Sequence, residues 1–150
     1  FTSTTIDATA LTGNLPAISG ASLTSLPADA TKLPLAGGTM TGSVTGSTDT
    51  DTSNTGSVTL DFATNQNFVL TLTGNVTLAN PTTEVAGQSG FITFIQDGSG
   101  SRTVGLGTDY ETAAGAGITL TATASATDIV PYVVVAAGRI LLGTPQLAFS

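Results

Sequence analysis

Residues 70–104 read LTLTGNVTLANPTTEVAGQSGFITFIQDGSGSRTV, and their pattern decides the fold class. Leu70 and Leu72 continue an alternation that begins at Phe68, which makes one face apolar as in a half-buried strand. Val69 adds some burial on the other face. Gly74-Asn75 stands between Leu72 and Val76 and predicts a tight turn into a second strand over residues 76–79. Residues 91–95 are apolar on both faces apart from Thr93, as a central strand requires. Asp97-Gly98-Ser99-Gly100 predicts a hairpin, because glycine supplies the positive φ of tight turns. The chain then returns over residues 102–106.

The same texture extends in both directions. Val58, Leu60 and Phe62 alternate with Thr59 and Asp61. Residues 118–123 alternate, 128–136 read as a largely buried strand, 139–142 follow a turn at Ala137-Gly138, and 146–149 close the sheet. No stretch carries the period of an amphipathic helix. Short strands separated by turn residues predict an all-β head over 58–150, a β-sandwich or jelly-roll-like domain.

Residues 1–46 differ. ALTGNLPA (10–17), SLTSLPA (22–28) and KLPLAGG (32–38) form a loose, irregularly spaced repeat. Proline fixes its own φ and biases the preceding residue, here Leu15, Leu26 and Leu33, toward extended backbone. The segment is too small for a core of its own. It predicts an extended stem in which Leu11, Leu15, Leu23, Leu26, Leu33 and Leu35 pack against other copies. GSTDTDTSNTGS (46–57) is hydrophilic and is expected to be a polar hinge over 47–57, between stem and head.

Composition points to shared burial. Only 9% of the 150 residues are charged, against about 25% in typical soluble domains, and mean hydropathy is +0.33. Thr and Ser hydroxyls must therefore supply much of the polar surface, and apolar surface must be hidden between subunits. With 3 Lys and Arg against 10 Asp and Glu, the net charge is −7. A protein that neutralises phosphates needs clustered cations, so nucleic acid is not an expected partner. Anionic membrane surface is disfavoured for the same reason. The longest apolar run, 129–137, contains Pro131 and is well short of the ~20 residues of a spanning helix. The start, FTSTTIDATA, lacks the basic and apolar regions of a signal peptide and an initiating Met; processing, or a longer parent polypeptide, is expected.

TLTGNVTL (71–78) followed by QDGSGSRTV (96–104) closely resembles the C-terminal β-domain of bacteriophage tail fibres and other virion fibre or decoration proteins. LPLAGGTMTGSV (33–44) resembles the stems of tail fibres. The resemblance is strong over 70–104, loose over 10–44 and weak beyond 110. It implies a non-enzymatic virion component, homotrimeric, that contacts other virion proteins through its N-terminal segment and a host surface glycan or protein through its head. LPLAGGTMTG favours a tail fibre. The short length, without a long shaft, favours the alternative of a capsid decoration or cement protein.

Catalytic chemistry is sparse. The chain has no His and no Cys, which removes His-based triads and acid–base relays and the usual zinc ligands. Gly98 and Gly100 lack the following helix of a phosphate loop. Asp109 and Glu111 would lie about 7 Å apart on one side of a strand, whereas glycosidase carboxylates face each other across substrate. A glycan-degrading spike domain is thus the remote alternative. Asp49 and Asp51 resemble the start of a calcium loop without its glycine or terminal Glu, so no metal and no cofactor are expected. Tyr132 is expected in the core. Asp109, Tyr110 and Glu111, in the loop from Gly105 to Gly117, are the expected receptor-contact residues. The opposing reading of Tyr110, packed against a sheet edge, is equally open.

Overall fold

The computed structural model describes residue 39 and residues 41–149. The expected stem leucines (Leu11, Leu15, Leu23, Leu26, Leu33 and Leu35) lie outside the described residues. Ser43–Ser150 form one compact unit. Eight strands make it up: β1 (Thr48–Thr59), β2 (Asn67–Ala79), β3 (Ser89–Gln96), β4 (Val104–Leu106), β5 (Tyr110–Glu111), β6 (Thr127–Ala136), β7 (Arg139–Leu142) and β8 (Gln146–Phe149). The all-β class is as expected. All eight join one curled sheet in the order β1-β2-β3-β6-β7-β5, with β4 paired to β2 and β8 to β6.

Four of the pairings are parallel: β1 with β2, β2 with β3, β2 with β4, and β5 with β7. Parallel neighbours ordinarily need a crossover of a dozen or more residues, yet only residues 60–66 join β1 to β2. Seven residues span at most about 25 Å, whereas a straight strand of β1's length would run about 40 Å. The strand must therefore bend. It does so where the register to β2 shifts, between Asp51 and Gly56. Thr48–Asp51 pair with Asn67–Leu70 on one arm, and Gly56–Thr59 pair with Val76–Ala79 on the other.

Gly74-Asn75 marks the matching bend in β2, which runs unbroken through it. The turn expected there is a corner within a strand. A Cβ on Gly74 would collide with the Thr55 hydroxyl, so the corner needs a residue without one. At the third level the strand breaks: β3 pairs the first arm of β2, β4 pairs the second, and residues 97–103 turn the corner between them. Asp97–Gly100 thus turns without forming a hairpin, because the strands it joins lie beside β2 and not beside each other.

Residues 47–57 were expected to be a polar hinge and residues 58–62 a strand; Thr48–Thr59 form the single strand β1. Their Thr, Ser, Asn and Asp composition imitates a linker. The strand is held by its ladder to β2 and by Asn54, which is buried and donates to the carbonyls of Asp51 (3.1 Å) and Thr71 (3.2 Å).

The curl encloses the core. Phe68, Leu70, Leu72, Val76 and Leu78 of β2 project inward with Ile92 and Phe94 of β3, Val130, Tyr132 and Val134 of β6, and Ile140 and Leu142 of β7. Phe62 meets Phe68 at 5.0 Å and Tyr132 edge-on at 5.3 Å between ring centroids, a geometry that aromatic quadrupoles favour. The Tyr132 hydroxyl donates to the Gln66 carbonyl at 2.6 Å.

Candidate functional site

The expected contact residues stand where the second arm of the sheet meets β5. Asn80 sets this region. Its Nδ2 donates to Thr108 Oγ1 (2.7 Å), its Oδ1 accepts from the Asp109 amide (3.1 Å), and the Gly107 amide donates to the Leu78 carbonyl (2.8 Å). One amide side chain at the end of β2 therefore fixes residues 107–109. The Asp109 carbonyl accepts from the Ile140 amide at 2.8 Å, and this leads β5 into parallel pairing with β7.

Sequence reasoning grouped Asp109, Tyr110 and Glu111; the structure gives each a different environment. Tyr110 is buried at 5% exposure and packs in the core. Its ring is no exposed platform, which is the sheet-edge reading of this residue. The hydroxyl is buried without a hydrogen-bond partner, as is Glu84 Oε2. Burial, with the neighbouring Glu84 and Asp109 charges, pushes the Tyr110 phenol well above its ordinary pKa. Glu111 accepts a bidentate pair from Arg139, Nε to Oε1 at 2.7 Å and Nη2 to Oε2 at 2.9 Å. The guanidinium holds the Glu111 carboxyl below the usual range. Asp109 is half-buried.

Residues 112–117 form a self-tied loop. The Thr112 hydroxyl accepts from the Gly117 amide (2.8 Å), and a 3-10 turn covers Ala113–Gly115. Between this loop and β4 lies an open cleft of about 610 Å³, bordered by Gly105, Leu106, Glu111, Thr112, Gly117 and Ile118, with Tyr110 in its wall. Its lining is mostly backbone, hydroxyl and small apolar groups. It offers hydrogen bonds and contact area to a ligand and holds no free charged nucleophile or acid.

The remaining polar residues have structural work. Asp97 accepts from the amides of Ser99 (3.0 Å) and Gly100 (2.9 Å) and from the Arg102 guanidinium (2.7 Å). Asp128, only 1% exposed, accepts from the Thr121 amide and hydroxyl and from the Ala148 amide. Asp49 and Asp51 lie on β1, where Asp51 accepts from the Ser53 amide. Among the described residues, no three His, Cys, Asp or Glu side chains converge as a metal site. No described helix is long and apolar enough to cross a membrane. Asn54, Asn80 and Gln96, which shape the corners and the cleft, were missed by sequence reasoning. Their one signal is an amide at the end of, or within, an alternating strand.

No curated protein and no solved structure matches the chain. Residues 51–139, which run from β1 into β7, match the family described as "Putative phage tail fibre C-terminal domain". That span includes the bent parallel arms, the 97–103 corner and the cleft loop. By this match over more than half its length, the chain belongs to the phage tail fibre C-terminal domain family, a structural component of the virion.

Proposed function

We propose that this domain is the head of a homotrimeric tail fibre and makes the adsorption contact with the host surface, a glycan or protein, at the rim of the cleft. Support comes above all from one juxtaposition: in a tail-fibre domain, a rigid loop carrying Glu111 and Thr112 borders an open cleft beside the sheet. Asn80 holds its start and Thr112 ties its end, so the rim is preorganised and loses little entropy on contact. Glu111 and Arg139, about half exposed and already paired, present a dipolar edge suited to hydroxyl and amide groups. The same pairing argues against a general-acid role for Glu111, because Arg139 favours its ionised form.

Antibody fragments against residues 43–149 test the placement. Under electron microscopy they should label the tail and should slow adsorption to host cells. Labelling of the capsid shell would overturn the fibre reading in favour of a decoration role.

A further inference from the structure

Among the described residues, the outer face of the β3–β6 region is apolar and uncovered, and the paired Arg139 of β7 and Glu111 of β5 border it. Along β6, Ile129, Pro131, Val133 and Val135 point away from the core while Val130, Tyr132 and Val134 point into it. Phe91 lies opposite Pro131, Thr93 opposite Ile129, and Val133 opposite Leu141. Phe91 is 52% exposed, Val133 38% and Val135 42%. An antiparallel face turned to water normally alternates to polar residues, and large apolar patches mark interaction sites.

We infer that this face, centred on Phe91, Pro131 and Val133, is where copies of this chain meet. The inference rests on the homotrimer reading above and adds the surface. Charge chooses the occupant. Each copy carries a net charge of −7, so two copies approaching through carboxylate-bearing surface repel each other. The outward positions of β3 and of residues 129–135 carry no charged side chain. Among the described residues the acids lie elsewhere: on β1, at Asp61, Glu84, Asp97 and Asp109, at Asp128, which points into the core, and at Glu111 of β5, which is paired with Arg139. A second copy brings an equally uncharged face, and its apolar burial is then unopposed. Shape agrees: shallow grooves of about 570 and 300 Å³ are both bordered by Pro131 and Tyr132, leaving that part of β6 as a ridge between them. In a closed ring of three copies, the ridge of one copy can seat in a groove of the next.

The test uses the 150-residue chain and light scattering. The wild type should have a mass about three times 14.8 kDa. Phe91→Lys and Val133→Lys should lower it to a single chain while the β-sheet circular dichroism persists, and Ser57→Lys on β1 should leave it unchanged. Because the chain has no native Cys, single-cysteine variants provide a milder check. Val133→Cys should cross-link between copies with a short bis-maleimide, and Ser57→Cys should not. A trimer whose mass survives both lysine variants, or that cross-links at residue 57 and not at 133, overturns the face and leaves the trimer standing. A monomeric wild type overturns both, and the face then belongs to another virion protein.

Discussion

Gln96 holds Arg102 by its backbone at both ends. Its Nε2 donates to the Arg102 carbonyl at 3.0 Å, and its Oε1 accepts from the Arg102 amide at 2.9 Å. A buried side chain, 3% exposed, thereby does the work of a missing strand partner. It closes the corner where β3 ends and leads the chain to β4. The Arg102 guanidinium turns back onto Asp97, so one short loop is tied through both its backbone and its side chains.

Replacing Gln96 with leucine should destabilise the domain by about 2–3 kcal/mol, because two backbone groups in a partly buried corner lose their partner. Urea unfolding followed by circular dichroism measures this. A loss under half a kilocalorie would mean that water satisfies the corner equally well.

The same corner separates two glycines by their geometry. Gly100 has φ +70°, and a Cβ there would strike the Ala122 carbonyl, whereas a Cβ on Gly98 would meet nothing. Gly100→Ala should therefore cost roughly 2 kcal/mol or more, and Gly98→Ala close to nothing. Equal thermal shifts for the two variants would contradict the loop conformation.

Acid should weaken the fold. Asp97 is held below its ordinary pKa by Arg102, Glu111 by Arg139, and Asp61 by the Thr64 hydroxyl. A carboxyl with a depressed folded pKa contributes stability that is complete above its unfolded value, near 4, and is lost as pH falls through the folded value. Denaturant midpoints should be flat from neutral pH to about 5 and fall below 4. Arg102→Gln should flatten that fall, and an unchanged profile would remove Asp97 from the account.

At alkaline pH the two tyrosines report on the core. Burial pushes Tyr132 up to about 12, and burial with Glu84 and Asp109 nearby pushes Tyr110 higher still. A raised folded pKa means that stability is complete below the unfolded value, near 10, and is lost as pH rises. Tyrosinate absorbance should stay silent through pH 10 and appear together with unfolding. Because these are the only tyrosines, half the signal titrating near 10 in the folded protein would show one ring to be exposed.

Much of the head was legible because burial there alternates with period two. Phe68, Leu70 and Leu72, the core placement of Tyr132 and the strand over 139–142 follow from side-chain pattern alone. The path of the chain was not legible. A Gly-Asn pair reads the same at a hairpin and at a bend within a strand, and only the pairing of β1 on β2 tells them apart. Parallel register is a relation between distant segments with no local signature. β1 was hidden because its hydroxyl-rich residues are ordered through the backbone ladder and Asn54, which hydropathy does not detect. Tyr110 carried two readings because exposure depends on β7, which reaches it from far along the chain.

Adsorption decides whether the head contacts the host surface. Purified wild-type protein, labelled with a fluorophore, should bind host cells saturably, and at saturation it should reduce adsorption of the phage at least tenfold. Glu111→Ala and Arg139→Ala, which alter the cleft rim, should bind more weakly while keeping the wild-type mass and circular dichroism. A folded wild-type oligomer that binds no host cells and leaves adsorption unchanged would contradict the claim.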